Sequence, residues 1–149
     1  MYAASARPAN HARFIFLESR SRTFYPDWER AANDTVAILR TEAGRDPYDR
    51  GLTDLVGELS TRSEEFRTLW AAHNVRQHYT GLKHLHHPVV GDLHLMYEAM
   101  DVSADAGLSL LIYTAEPGSA SEDALRLLGN WASTNRRVKE AEAAAVDKV

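Results

Sequence analysis

The sequence has no cysteine among its 149 residues. This absence excludes disulfide bonds, thiolate metal ligands and a cysteine nucleophile. No apolar run approaches the roughly 20 residues that a membrane-spanning helix needs. The first nine residues are small and polar and lack the basic-then-apolar pattern of a signal peptide. We therefore expect a flexible segment at 1–9 and a cytoplasmic protein with no membrane association.

The chain also lacks a basic excess. It carries 17 basic and 21 acidic residues, for a net charge of −4. A dedicated nucleic-acid binder usually carries a basic face, so this balance argues against DNA binding by the chain itself. With 44% hydrophobic residues, the composition is typical of one globular domain. We place that domain at 10–133, followed by a charged tail at 134–149.

Three apolar runs in the second half predict a small antiparallel sheet. A first run at 83–87 is joined by turn residues Pro88 to Gly91 to a second run at 92–98, in which Leu93, Leu95 and Tyr97 share one face. A third run, 108–115, is apolar on both sides, which is typical of an inner strand. The sequence thus predicts an α+β fold in which helices pack on three strands in meander order.

The remaining segments have helical spacing. Residues 19–22 are polar and are expected to interrupt a short first helix. The clearest helix follows, with Trp28, Ala31, Ala32, Thr35, Val36 and Leu39 on one face. Ser63 is expected to cap a helix that points Phe66, Leu69 and Trp70 inward and ends at His73-Asn74. A capping box, Ser119 with Glu122, should begin a C-terminal helix with Ala124, Leu125, Leu128 and Trp131 inward.

The aromatic residues are the main candidates for a binding site. Five of them lie on predicted inward faces: Trp28, Phe66, Trp70, Tyr97 and Tyr113. Such residues usually form a hydrophobic core. They could equally line an apolar ligand pocket between the helices and the sheet. The sequence does not separate the two interpretations.

Histidines cluster on the first two predicted strands. His84 and His86 alternate on one strand face, and His94 joins them only if the hairpin register allows it. Neutral imidazole nitrogens are zinc ligands, so these three residues are weak candidates for a metal site. No supporting carboxylate pattern is evident, and a pH-sensitive polar surface is the better interpretation.

No motif for catalysis or for a cofactor is present. The sequence has no nucleophile elbow, phosphate-binding loop or dinucleotide fingerprint, and its carboxylates form no evident acid–base pair. We therefore predict a protein that is not an enzyme and that has no cofactor.

Several motifs, in this order, resemble a known family. They are residues 10–17, Phe24-Tyr25-Pro26-Asp27-Trp28, Gly44-Arg45-Asp46-Pro47, residues 55–60, Phe66-Arg67-Thr68-Leu69-Trp70 with His73-Asn74-Val75, His87-Pro88-Val89-Val90-Gly91, Tyr113-Thr114-Ala115-Glu116-Pro117-Gly118-Ser119 and residues 124–128. Together they are similar to the C-terminal ligand-binding domain of MmyB-like transcription regulators. The resemblance implies a PAS-like fold, with helices against a five-stranded antiparallel sheet, and a ligand-sensing role in transcription regulation without catalysis.

The chain departs from that family pattern in two ways. We expect no helix-turn-helix of the XRE type before residue 10, and we expect the first two strands of the PAS-like sheet to be missing. We therefore expect a truncated domain that binds a small apolar, fatty-acid-like molecule and reaches DNA only through a domain that this chain lacks. A second copy or a partner chain would pair with the open sheet edge, which we expect at the run 108–115. The alternative is a structural or protein-interaction module with no small-molecule ligand.

Overall fold

The computed structural model describes residues 9–72, 80–104 and 107–146, with side chains described through Asn135. These ranges contain six α-helices and a three-stranded antiparallel sheet, which confirms the predicted α+β class. The chain forms two compact units, Met1–His78 and Tyr79–Val149. The first unit contains five of the helices, and the second contains the sheet and the last helix.

The first unit is helical. Its elements are α1 His11–Leu17, α2 Arg20–Phe24, α3 Trp28–Arg45, α4 Arg50–Arg62 and α5 Glu64–Ala71. The predicted helix end at His73-Asn74 lies outside the described residues, as does most of the segment predicted to be flexible at 1–9. Helix α3 has its predicted inward face, since Ala31, Ala32, Thr35, Val36 and Leu39 are buried.

Helix α1 ends at Leu17, before the polar segment 19–22, as predicted, but most of that segment is itself helical and belongs to α2. The segment is polar in composition, but Ser21 is buried and its hydroxyl donates to the Ile15 carbonyl at 2.8 Å. Phe24, one turn later, is also buried. A hydroxyl that finds an internal acceptor can be buried at little cost, so a polar residue lies on the inner side of this helix.

Three helices of this unit begin at side-chain caps. The Asn10 carboxamide accepts from the backbone N–H of Arg13 at 3.0 Å, and the Asp49 carboxylate accepts from that of Leu52 at 3.1 Å. The Ser63 hydroxyl accepts from the N–H of Phe66 at 3.1 Å, which confirms the predicted cap. Each cap satisfies a helix N–H that has no intrahelical acceptor.

One core cluster of the first unit joins four of its helices. Its buried members come from α1, α3, α4 and α5, and they are Ala12, Val36, Leu39, Leu55, Leu59 and Phe66. Leu59 and Phe66 have no exposed surface. These side chains hold the helices together, because removal of apolar surface from water is the main favourable term in folding.

The second unit contains the predicted sheet. Its strands are β1 Thr80–His87, β2 Gly91–Asp101 and β3 Ser109–Thr114, in the order β1-β2-β3 with antiparallel pairing throughout. The meander is therefore confirmed. Leu93, Leu95 and Tyr97 are buried on one face, as the alternation predicted. Gly91 begins β2 with φ +75°, a left-handed conformation that glycine adopts without strain.

The composition of strand β3 is typical of an inner strand, but the run 108–115 was also expected to form the open edge of the three-stranded sheet, and its edge position is confirmed for the described strands. It lies at an edge of the sheet, and every residue of the strand is exposed. Apolar residues on both faces normally indicate burial on both faces. Here the same pattern belongs to a strand that no other described element covers.

Helix α6, Ala120–Val146, closes the second unit. The Ser119 hydroxyl accepts from the N–H of Glu122 at 3.2 Å, as predicted, but the Glu122 carboxylate accepts from Gly118 at 2.7 Å. Ala124 is buried against Leu93 and Leu95 of the sheet.

The end of α6 differs from the prediction in one respect. Trp131 was expected to point inward but is 47% exposed, and the buried residues of this helix up to Asn135 lie in its first turns, at Ser121 and Ala124. The helical backbone continues into the predicted charged tail as far as Val146.

Candidate functional site

The five predicted site aromatics fall into two groups. Trp28, Phe66 and Trp70 belong to the helical unit, whereas Tyr97 and Tyr113 belong to the sheet unit. In the helical unit, Phe66 contacts Trp70 directly, and the ring of Phe16 lies between Trp28 and Phe66. In the sheet unit, the rings of Tyr97 and Tyr113 lie next to each other. Three of the predicted pocket residues thus belong to one unit and two belong to the other.

The helical unit contains four successive aromatic rings, which we call the aromatic row: Trp28, Phe16, Phe66 and Trp70. The ring centroids of Trp28 and Phe16 are 6.0 Å apart, those of Phe16 and Phe66 are 5.0 Å apart, and those of Phe66 and Trp70 are 5.5 Å apart. The first two contacts are edge-to-face and the third is stacked, and both geometries are favourable for aromatic pairs.

Phe16 completes the aromatic row, and the sequence analysis missed it. It lies four residues after the buried Ala12 of α1. Residues that are four positions apart share a helix face, so this spacing was the available signal.

Trp28 is held in place at one end of the row. Its indole N–H lies 3.2 Å from both the Ile15 carbonyl and the Ser21 hydroxyl, which act as acceptors. The Arg22 guanidinium carbon lies 4.0 Å from the centroid of the ring. With its polar atom satisfied and a cation on one face, Trp28 presents a fixed apolar ring.

Phe66 and Trp70 differ in how deeply they are buried. Phe66 has no exposed surface and belongs to the core, whereas Trp70 is half-buried and packs against that core from outside. Phe66 is thus a structural residue. Trp70 keeps surface that another apolar group could cover.

Arg40 adds a cation beside Trp70. Its guanidinium carbon lies 5.2 Å from the indole centroid, and the guanidinium donates to the backbone carbonyl of Trp70 near the end of α5. Arg13, Arg22 and Arg62 each form an ion pair with a glutamate. Within the described part of the chain, Arg40 is in no such pair. Its remaining donors suit a carboxylate or another anion.

Further half-buried apolar side chains pack on the same core as Trp70. They come from α1, α4 and α5, and they are Phe16, Leu17, Leu52, Val56 and Leu69. Each retains exposed surface while it packs on the core. These five side chains, which we call the rim, can bury an apolar molecule, since each square ångström of apolar surface removed from water contributes about 25 cal/mol.

The sheet unit brings Tyr97 and Tyr113 together. They are directly opposite each other in the β2–β3 register, and their ring centroids lie 6.3 Å apart. Tyr97 is buried, and the Lys83 ammonium lies 5.5 Å from its ring centroid. Tyr113 is exposed. This pair stabilises the hairpin as a cross-strand contact.

The histidines meet on the sheet face opposite Tyr97. The register pairs His84 with His94, and their rings stack with centroids 4.3 Å apart. His84 and His86 both lie within hydrogen-bond distance of one Asp92 oxygen, at 3.2 and 2.9 Å. Hydrogen bonds from His86 and His84 lower the pKa of the Asp92 carboxyl. The cluster is therefore a carboxylate shared by two imidazoles.

His84, His86 and His94, the weak candidates for metal ligands, thus lie together on one face of the sheet. No group of three or more histidine, aspartate or glutamate side chains in the described ranges could hold a metal ion.

The sequence matches the MmyB-like transcription regulator ligand binding domain family over residues 1–128. The chain belongs to this family. A comparison with curated proteins found no match. The MmyB-like domain is thus a regulator's ligand-binding domain, as the sequence motifs implied. Among the helices that the structure describes, none is both long and apolar enough to cross a membrane.

Proposed function

We propose that the chain is a non-catalytic ligand-sensing domain of a transcription regulator, acts in the cytoplasm, and binds a small apolar, fatty-acid-like molecule. Its membership of the MmyB-like ligand-binding family supports the sensing role. The observation that carries the choice of ligand is the half-buried rim of the helical unit, where Trp70 packs on the core with part of its surface uncovered.

The aromatic row favours an apolar ligand. Trp28 is fixed by its hydrogen bonds, and Phe66 is fixed by complete burial, so the row is rigid before any ligand binds. Rigid apolar surface loses little conformational entropy when it is covered. An alkyl chain that lies along Trp70 and the rim would gain from this preorganisation.

Arg40 favours an acid over a neutral lipid. Its guanidinium lies against Trp70 and forms no ion pair with a described carboxylate. A fatty acid would place its alkyl chain on the rim and its carboxylate on the guanidinium, as a charge-assisted hydrogen bond.

Thermal unfolding tests the proposal. Decanoate and palmitate should raise the melting temperature, because a ligand that binds only the folded state stabilises it by mass action. Trp70→Ala should abolish that rise, and Trp70→Phe, which keeps a ring, should retain part of it. Tyr48→Ala is the matched control, because Tyr48 is a 92% exposed aromatic residue of the same unit. A melting temperature that no apolar compound shifts would overturn the proposal.

A second comparison tests the acid assignment separately. Arg40→Gln should reduce the shift produced by decanoate and leave the smaller shift produced by decanol unchanged. Arg40→Lys should restore part of the decanoate shift, since the positive charge is kept. If Arg40→Gln has no effect on decanoate, the ligand is apolar but its headgroup is not bound by Arg40.

One observation favours the alternative function, a protein-interaction module. Strand β3 exposes large apolar side chains on both faces. Exposed apolar surface of this kind marks interaction sites. The two functions are compatible, because the rim belongs to the helical unit and β3 belongs to the sheet unit.

A further inference from the structure

Helix α5 has no cation of its own at its C-terminal end. The last backbone carbonyls of a helix lack intrahelical donors and carry partial negative charge, so a basic side chain in the last turn is stabilising. Helices α2, α3 and α4 each have an arginine there, whereas the last turn of α5 has no basic residue. A cation for the end of α5 must therefore come from another element.

Arg40 of α3 supplies that cation. Its guanidinium donates to the backbone carbonyl of Trp70, in the last turn of α5, and lies against the Trp70 indole. Arginine side chains near a helix end can bond the last carbonyls and interact favourably with the helix dipole. Arg40 thus connects α3 both to the end of α5 and to the ring that we propose as a ligand contact.

Helix α5 depends on contacts with other helices because it is short. It has eight residues, and isolated helices shorter than about 12 residues are marginal in water. Among these eight residues, all of which the structure describes, Phe66 alone is buried. The first turn of α5 also contacts α2, since the Arg22 guanidinium lies 2.6 Å from the Glu65 carboxylate. Each end of α5 is thus held by an arginine from another helix.

The two arginines differ in what they bind. Arg22 is paired with the charged Glu65, whereas Arg40 donates to the uncharged carbonyl of Trp70. A guanidinium has five N–H donors and can bind a carboxylate through two parallel hydrogen bonds. Arg40 can therefore hold the Trp70 carbonyl and a ligand carboxylate at the same time.

We propose that Arg40 is an acid-dependent clamp on the end of α5: a ligand carboxylate that binds the guanidinium fixes it in place and strengthens its hold on the Trp70 carbonyl. This inference rests on the proposed binding of a fatty acid. A group that one partner has already ordered loses less conformational entropy when it binds a second, so the two contacts stabilise each other. Ligand binding is thereby converted into order at the end of α5, the last helix of its unit.

A neutral ligand does not engage the clamp. Decanol can cover the Trp70 ring as decanoate does, but it has no charge with which to fix the Arg40 guanidinium. Any ligand that binds only the folded chain raises its overall stability. An acid should in addition protect the last turn of α5 more than the first turn.

Amide hydrogen exchange followed by NMR measures the two turns separately. The Ala72 N–H donates to the Thr68 carbonyl at 3.1 Å and reports on the last turn. The Phe66 N–H donates to the Ser63 hydroxyl and reports on the first turn. Local opening of the last turn exposes the Ala72 amide to solvent, so its exchange rate relative to that of Phe66 follows the strength of the clamp.

The first comparison is made without a ligand. Arg40→Gln should accelerate exchange at Ala72 by about threefold or more relative to Phe66, because the end of α5 loses its cation. Arg40→Lys, which keeps the charge, should give an intermediate rate. Arg45→Gln is the control, because Arg45 belongs to the same helix and pairs with Glu42. Equal relative rates in Arg40→Gln and Arg45→Gln would overturn the clamp.

The second comparison uses the natural chain, so it does not depend on how well a variant folds. Decanoate should slow exchange at Ala72 by about fivefold or more relative to Phe66, the lower end of coupling between two sites. Decanol should slow the two amides equally. Equal protection of both amides by decanoate, or preferential protection of Ala72 by decanol, would overturn the clamp.

The melting temperature separates failure of the clamp from failure of the proposed function. If decanoate raises the melting temperature without preferential protection of Ala72, the clamp is wrong and the sensing function stands. If decanoate changes neither the melting temperature nor the exchange rates, both proposals are wrong.

Discussion

The indole of Trp70 stacks on the ring of Phe66, with centroids 5.5 Å apart and 18° between the planes. The two residues are one helical turn apart on α5, yet only Phe66 is fully buried. One ring belongs to the core, and the other lies on its boundary. Substitutions at the two positions should therefore have different consequences.

We predict that Phe66→Ala costs about 3–5 kcal/mol of unfolding free energy, the range for a large aromatic residue in a core. Trp70→Ala should cost clearly less, because its ring is already partly in water. Urea denaturation of the two variants and the natural chain measures the difference. An equal or larger loss for Trp70→Ala would place Trp70 in the core and remove its role as a ligand contact.

The chain should bind duplex DNA weakly and without sequence preference. Its net charge of −4 gives little attraction to phosphates, which supply most of the non-specific affinity. Fluorescence anisotropy with labelled duplexes of unrelated sequence, at physiological salt, measures this. Tight binding to one duplex over the others would contradict the prediction and assign DNA recognition to this chain.

Local sequence signals predicted much of the fold. The alternation of Leu93, Leu95 and Tyr97 identified β2 and its buried face, and Ser63 identified the start of α5. These signals succeed because side-chain alternation and capping depend on residues that are near each other in sequence.

Contacts between distant residues were not predictable in the same way. Apolar residues on both faces of β3 indicated an inner strand, but strand order depends on pairing partners and not on the strand's own composition. Arg40 reaches Trp70 across 30 positions of sequence, with no local pattern that indicates it. Asp92 joins His84 and His86 only because the hairpin register places it opposite His86.

Asp92 should stabilise the folded chain at pH values above the ordinary pKa of an aspartate. Its pKa is lowered in the folded state by hydrogen bonds from His86 and His84. A carboxyl with a lowered folded pKa contributes stability above its unfolded pKa, near 4, and loses it as the pH falls through the folded value. Acid unfolding followed by circular dichroism should show that Asp92→Asn weakens this dependence below pH about 4. Unchanged acid unfolding would show that the shared carboxylate is not coupled to folding.

Asp101→Asn is the matched control for that experiment. Asp101 is also an exposed aspartate of β2, and it accepts a hydrogen bond from the Ser109 hydroxyl at 2.7 Å. It has no described histidine partner. Acid unfolding of Asp101→Asn should therefore resemble that of the natural chain more closely than acid unfolding of Asp92→Asn does.

His87 should make the β1–β2 turn less stable as the pH falls. Burial lowers the pKa of its imidazole, and its Nδ1 accepts from the backbone N–H of Val89 at 3.2 Å. Protonation would convert that acceptor into a donor and break the hydrogen bond. Because the folded pKa is lowered, the unfolded chain binds the proton more readily. Stability is therefore full above the unfolded value of about 6.5 and declines as the pH falls below it.

Replacement of His87 by a residue that does not titrate tests this relationship. His87→Asn keeps a short side-chain acceptor for the Val89 N–H and has no proton to gain. Its unfolding free energy should therefore be less dependent on pH between about 7 and 5 than that of the natural chain. His94→Asn is the control, since His94 lies on the exposed sheet face and stacks on His84. If His87→Asn retains the full pH dependence of the natural chain, another group is responsible for it.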